Sequence, residues 1–181
     1  PEVAEALLAE GVADMVSMAR PFLADPDFVV KAAEGRADEI APCIACNQAC
    51  LDHTFSGQIS SCLVNPRACH ETEIALTATE TPRTIAVVGA GPAGMAAAIT
   101  AAGRGHAVTL FDMADRVGGQ LHLAAAVPGK EEFHGLIRWF GTMLAKSGVT
   151  LRLNTEANAD DLAGFDEVIV ATGVTPRDPG I

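Results

Sequence analysis

Three glycines, Gly89-x-Gly91-x-x-Gly94, stand directly between a β-branched run at 84–88 (TIAVV) and an alanine-rich run at 95–103 (MAAAITAAG). A second apolar run at 107–111 (AVTLF) follows and ends on Asp112. Strand, side-chain-free turn, helix and acid-terminated strand make one βαβ unit of a parallel sheet, the Rossmann-like arrangement that receives a dinucleotide. Each glycine has a mechanical task. Gly89 permits the tight turn, Gly91 lets backbone approach a pyrophosphate, and Gly94 lets helix pack closely on strand. The helix start then offers free amides and the positive end of its dipole to phosphate. Asp112 lies near the distance expected for a ribose 2′-hydroxyl contact and disfavours a 2′-phosphate, so the unit is expected to hold FAD or NAD rather than NADP. The competing reading is a glycine turn kept for packing alone.

The cysteines impose a second constraint. Five is an odd number, and three of them crowd into eight residues, unlike the spaced framework of a secreted disulfide domain. Cys43-x2-Cys46-x3-Cys50-x11-Cys62 offers four thiolates, three on one tight loop and one returning after an excursion. Four is the number one cubane cluster needs, although the spacing matches neither common ferredoxin pattern. A structural zinc more often takes two separated C-x2-C knuckles. Iron–sulfur leads, with zinc, a redox-active C-x-x-C pair and inert thiols as the alternatives. Cys69 is left over and is expected to act as a small buried hydrophobe. His53 and His70 are expected at the surface or in support of ligands, since four cysteines suffice.

Upstream, residues 2–10 place Val3 and Leu7 on one helical face with Leu8 adjoining, and Gly11 supplies a left-handed stop. Residues 13–18 (ADMVSM) read as a buried strand. Asp25-Pro26 reads as an N-cap with proline at the first position of a helix ending at Gly35. Helix, strand, helix with a buried strand is how a parallel α/β sheet or barrel is built. One strand leaves both edges unpaired, so its partners are expected before Pro1, and the chain is expected to be an internal fragment of a longer polypeptide. Residues 37–70 have no sustained periodicity and need another organiser, for which a metal would serve. Residues 71–83 read as a linker ending in Thr81-Pro82.

At about 150 residues per domain, 181 residues accommodate one domain with an appendage or two small ones. Lys plus Arg minus Asp plus Glu is 12 − 23 = −11, a charge that repels nucleic-acid phosphates and anionic headgroups. With 49% hydrophobic and 19% charged residues the composition is globular. The apolar run at 95–102 is far shorter than the roughly 20 residues of a membrane-spanning helix. No signal peptide precedes it, so the chain reads as soluble and cytoplasmic, without nucleic-acid or membrane partners.

Taken together, ADMVSMARPFLADP at 13–26, CIACNQACLD at 43–52, SCLVNPRACHE at 61–71, VVGAGPAGMAAAITAAGRGHAVTLFD at 87–112, and VGGQ with PGKEEF within 117–133 resemble the bacterial NADPH-dependent 2,4-dienoyl-CoA reductases. These belong to the flavin-barrel and iron–sulfur group that includes trimethylamine dehydrogenase. The resemblance runs end to end and implies an α/β architecture in three parts. Residues 1–36 would be the last unit of an FMN-binding TIM barrel, 37–80 the iron–sulfur segment and linker, and 81–181 the start of a Rossmann-like FAD domain. It implies a 4Fe-4S cluster on Cys43, Cys46, Cys50 and Cys62, and places Ala19 and Arg20 at the FMN phosphate, after the barrel's last strand. For FAD it implies Gly89, Gly91, Ala93 and Gly94 at the pyrophosphate, Asp112 at the ribose, Gly119, Gln120 and Lys130 near the flavin nucleotide, and Ala157 as a backbone contact near adenine. The turn Ala171-Thr172-Gly173 resembles the family's second glycine turn near the cofactor, for which packing is the competing account.

In such an enzyme NADPH, bound outside this segment, would reduce FAD, electrons would cross the cluster singly to FMN, and FMN would deliver hydride to a 2,4-dienoyl-CoA. The sequence has no tyrosine, so the family's barrel acid is not here, no catalytic residue is assigned, and the segment alone is expected to be inactive. The runner-up is an amine dehydrogenase of the trimethylamine type. A non-catalytic electron-transfer or zinc-binding module, colourless if zinc, is a third reading, and a plain NAD dehydrogenase would leave the cysteines unexplained.

Overall fold

The computed structural model describes residues 1–175, 177, 178 and 180, which fall into two units, Pro1–Ala75 and Leu76–Ile181. In the second unit TIAVV forms β1 (Thr84–Val88), and the chain climbs through α5 (Pro92–Gly103) to β2 (Ala107–Phe111). It continues through α6 (Leu121–Ala125) and α7 (Glu132–Lys146) to β3 (Thr150–Arg152), then through α8 (Ala159–Leu162) to β4 (Glu167–Val170). All pairings are parallel, in the order β3-β2-β1-β4, with Val88 opposite Phe111 on one side and Val170 on the other. Because the chain leaves β1 for β2 and later returns to its opposite edge as β4, the switch point of the sheet lies at the carboxyl end of β1, where open α/β sheets bind ligands.

The βαβ reading therefore holds, with α5 beginning three residues earlier than the alanine run, at Pro92, a residue preorganised for a helix start. The core is built on β1 and β2: Ala86, Val87 and Leu110 are fully buried, together with Met95 and Ala98 from α5. α7 adds Leu136, Phe140 and Leu144, spaced by four so that they form one stripe. β3, α6 and α7 carry no signal as simple as the alternating pattern of β1; β3 is only three residues long and wholly exposed.

In the first unit, α1 (Glu2–Ala9) ends before Gly11, whose φ is +66°. The strand expected at 13–18 does not form. Those residues are extended or bent, none is buried, and none pairs in a ladder. A strand exists only where its amides and carbonyls find a neighbouring edge, and the described residues offer none. The next helix also differs from expectation. A short α2 (Arg20–Ala24) precedes it, α3 (Phe28–Ala33) starts after Asp27, not at Asp25, and α4 (His53–Phe55) is a single turn in the cysteine segment.

Asp25 has another task. It is the buried acid of the unit, 3% exposed, and its carboxylate accepts from Asp27 N–H at 3.0 Å, Ala41 N–H at 2.8 Å and Lys31 Nζ at 2.6 Å. Lys31 also donates to the Glu39 carbonyl at 3.3 Å, so one ion pair fastens α3 to the chain entering the cysteine loop. A buried pair of this kind is tolerable because extra hydrogen bonds satisfy both charges. No helix among the described residues is long and apolar enough to cross a membrane.

At the start of β1 and β4, Asp166 accepts from the Thr84 N–H and the Thr84 hydroxyl, both at 2.7 Å. These two donors, then the charge of Arg83, hold its pKa below the ordinary aspartate value. A depressed folded value stabilises the fold above the unfolded pKa, about 4, and that contribution disappears as pH falls through the folded value. Asp166→Asn should therefore lower stability near neutrality and leave it almost unchanged at pH 2.5, flattening the acid limb of a stability profile taken between pH 6 and pH 2.5; an unchanged acid slope would remove this role.

Candidate functional site

The carboxyl ends of β1, β2 and β4 open onto a cleft of about 530 Å³. Its floor is tied together by backbone bonds that run past the strands: Gly89 N–H to Phe111 O, Ala171 N–H to Val88 O, and Asp112 N–H to Arg152 O, at 2.8–2.9 Å. The three glycines divide their work as their surroundings dictate. Gly89 has φ +107°, and a Cβ there would sit 2.4 Å from the Ala171 carbonyl oxygen, so the β4 turn presses directly on the first glycine. A Cβ on Gly94 would lie 1.8 Å from the Gly89 oxygen, so the absence of a side chain lets α5 seat on the turn. Gly91 differs, because a Cβ there meets no protein atom within 4 Å, and the residue lines the cleft. It leaves open room in front of the first turn of α5, whose leading amides on Ala93 and Gly94 have no carbonyl within the helix, the first helical bond being Met95 N–H to Gly91 O at 3.0 Å.

Asp112 lines the same cleft, and its carboxylate accepts from Ala90 N–H at 2.5 Å and Ala114 N–H at 2.8 Å. Two acceptor positions remain for a hydroxyl, since a carboxylate has about four. Gly119, Gln120 and Ala157 also line the cleft. Gly118 donates to the Ala90 carbonyl at 2.8 Å, which brings the Gly118-Gly119 turn against Gly91, and His122 Nε2 bonds the Val117 carbonyl at 2.8 Å beneath it. Gln120 donates across to the Val174 carbonyl at 3.0 Å. Lys130 is exposed and does not line the cleft. Residues 171–174 do, as do Met113, Thr155 and Glu156, which the sequence reading missed. Thr155 and Glu156 reach it because β3 pairs beside β2, with Thr155 N–H donating to the Asp112 carbonyl at 2.9 Å, residues 171–174 because β4 pairs beside β1, and Met113 because it follows Asp112. The left-handed Asn154, φ +51°, was the available signal.

In the first unit, Cys43, Cys46, Cys50 and Cys62 all line one small cavity and are all half-buried. Left-handed Ala45 and Asn47, φ +51° and +60°, turn the chain sharply between the first thiols. Cys50 sits on a wide helical turn, Gln48–Asp52, of the kind that recurs at functional sites. The excursion then folds back. Ser61 N–H donates to Ala49 O at 2.6 Å, and Thr54 Oγ1 donates to Cys50 O at 2.9 Å, which returns Cys62 to the others. Among the described residues no three His, Cys, Asp or Glu side chains gather as ligands of a single metal ion.

Cys69 corrects its expectation. It is exposed, with φ +64°, and the buried position of that turn belongs to Ala68, 2% exposed. His53 Nδ1 meets the Ile59 carbonyl and His70 pairs with Glu73, so neither histidine lines the thiol cavity. Ala19 is exposed at the start of α2, and Arg20 lines the thiol cavity while donating to Asn47 Oδ1 at 2.6 Å.

The family model for pyridine nucleotide-disulphide oxidoreductases matches residues 83–181, the whole sheet and its cleft. The chain belongs to that family. Residues 1–39 match a second model, the NADH:flavin oxidoreductase / NADH oxidase family. The chain is 44% identical over 187 residues to a metal reductase of Desulforamulus reducens, covering all of this chain and 28% of that protein. Among solved structures, a 2-naphthoyl-CoA reductase superposes with a TM-score of 0.96 at 40% identity over all of this chain and 28% of its own. A histamine dehydrogenase from Rhizobium sp. 4-9 gives 0.90 at 31% identity over all of this chain and 27% of its own. The chain thus spans about a quarter of the length of the relatives it matches, and those relatives are reductases and a dehydrogenase.

The different surroundings of the glycines lead to a measurable contrast. Gly94→Ala should cost at least about 1–3 kcal/mol, because its methyl collides with backbone. Gly91→Ala, at an N-cap with ordinary φ, should cost about 1 kcal/mol or less. Thermal unfolding of both variants checks this, and equal losses would contradict the division of labour.

Proposed function

We propose that this chain is the part of a flavin- and iron–sulfur-dependent oxidoreductase that holds FAD in the β1–β2–β4 cleft and a 4Fe-4S cluster on Cys43, Cys46, Cys50 and Cys62. The observation that carries the reading is the convergence of four cysteines, and not the fifth, on one cavity. The donor set fits: four thiols are what one cubane takes. The cleft fits as well, since Gly91 leaves open space before the amides of α5, and Asp112 retains acceptors for a ribose hydroxyl. Bound there, a flavin supplies the exchange between electron pairs and the single electrons a cluster accepts.

The chain's own residues bind and orient. Ala93 and Gly94 would present their amides to the pyrophosphate. Gly119 closes over Gly91, and Gln120, anchored on Val174, limits how far the turn can open. Ala157 lies along the cleft within reach of an adenine, whereas exposed Lys130 would contribute only by moving inward. Ala19 and Arg20, following residues 13–18, would meet an FMN phosphate, with NADPH bound elsewhere in the protein.

For the whole protein we propose reduction of a 2,4-dienoyl-CoA by NADPH. Similarity to a 2-naphthoyl-CoA reductase supports a conjugated acyl thioester as the substrate class. Similarity to histamine dehydrogenase favours the second reading, oxidation of an amine. Full-length protein should consume NADPH with a 2,4-dienoyl-CoA and leave trimethylamine and dimethylamine untouched; turnover of an amine alone would reverse the assignment. In anaerobically purified protein about four irons and four acid-labile sulfides per chain are expected, with absorption near 400 nm. Cys50→Ser should lose most of both and make residues 37–70 more sensitive to protease. Zinc without sulfide would overturn the cluster assignment.

A further inference from the structure

We infer that Arg20 is a positioning residue for the thiol-bound cluster, a cation clamped by Asn47 that raises the cluster's reduction potential. The inference rests on the cluster reading above and concerns a property that reading leaves open. Arg20 is the one cationic side chain among the residues lining the cysteine cavity. The others are the four cysteines, Asn47 and the apolar residues Leu23, Ile44, Ala49 and Leu63. Four thiolates around a cluster gather negative charge, and each added electron increases it in a setting with little else to offset it. This chain's formal charge of −11 itself works against reduction. A fixed guanidinium at the cavity is the local counterweight.

It is fixed, not merely nearby. Arg20 Nη1 donates to Asn47 Oδ1 at 2.6 Å, across 27 positions of sequence. Asn47 lies between Cys46 and Cys50 and has φ +60°, a conformation asparagine tolerates better than most residues. Its amide oxygen is therefore held by the same sharp turn that spaces the thiols. A second link keeps α2 on the cysteine segment: Asn65 Nδ2 donates to the Leu23 carbonyl at 2.9 Å. The helix start that carries Arg20 and the loops that carry the ligands are thus tied at two points. Arg20 remains exposed on its outer side, where the phosphate proposed above would meet it, so salt and that phosphate should each weaken its effect.

The test is a dithionite titration of the full-length protein, with the one-electron reduction of the cluster followed by its EPR signal. R20Q should make the cluster about tenfold harder to reduce, equivalent to about 59 mV lower for a one-electron couple. R20K, which keeps the charge, should retain most of the wild-type value. N47A, which releases the guanidinium without removing it, should shift the same way by less. The gap between wild type and R20Q should narrow as ionic strength rises. An unchanged midpoint in R20Q overturns the inference, as does R20K falling as far as R20Q. Should R20Q fail to assemble a cluster, N47A decides: a wild-type midpoint there overturns the role. Wild-type protein without iron and sulfide would instead defeat the cluster reading itself, so the two failures are distinguishable by metal analysis.

Discussion

The dinucleotide unit depends on one close approach, that of α5 to the Gly89 carbonyl, at a distance that no Cβ on Gly94 would survive. With the helix seated there, its first amides face the carboxyl end of β1, and Gly89 in turn accepts the pressure of the Ala171 carbonyl from β4. The cleft exists because three backbone segments crowd together without side chains between them, while Gly91, pointing at open space, leaves room in front of the amides. Burial of Val87, Leu110, Met95 and Ala98 holds this arrangement from beneath. Packing thus supplies the stability, and the glycines determine where that packing leaves a concavity.

The cysteine segment solves a different problem. It has little regular structure of its own, and its order comes from hydrogen bonds between distant positions: Asp25 to Ala41, Asn65 to Leu23, Arg20 to Asn47, and Ser61 to Ala49. Each fastens one end of a loop that carries a thiol. A bound inorganic cluster would add the remaining constraint, which is how small segments with insufficient apolar core are stabilised.

Legibility followed the range of the forces involved. The βαβ unit could be read because a β-branched run, a glycine turn and an alanine run are local signals, and each says the same thing. The strand expected at 13–18 failed because its apolar character was real but a ladder requires a partner edge, which no local pattern records. Asp25 was misread as a cap because Asp-Pro is a common helix opening, whereas its carboxylate is committed to Lys31 and Ala41, six and sixteen residues away. Cys69 went wrong through composition: cysteine is usually buried, but a left-handed turn gave the buried place to Ala68. Thr155, Glu156 and Met113 carry no motif and reach the cleft only through the order of the strands.

The sequence by itself determined which residue types a ligand would need: glycines where backbone must come close, an acid after the second strand, and three thiols crowded into eight residues. These are chemical requirements written into single positions. Tertiary structure alone decided which of them share a space. The parallel order β3-β2-β1-β4 brought residues 155–157 and 171–174 to the glycine turn, left Lys130 outside, and a folded-back excursion set Cys62 beside Cys50 while excluding Cys69. The reason is that proximity between distant positions depends on backbone pairing and burial summed over the whole unit, and no short stretch of sequence contains that sum.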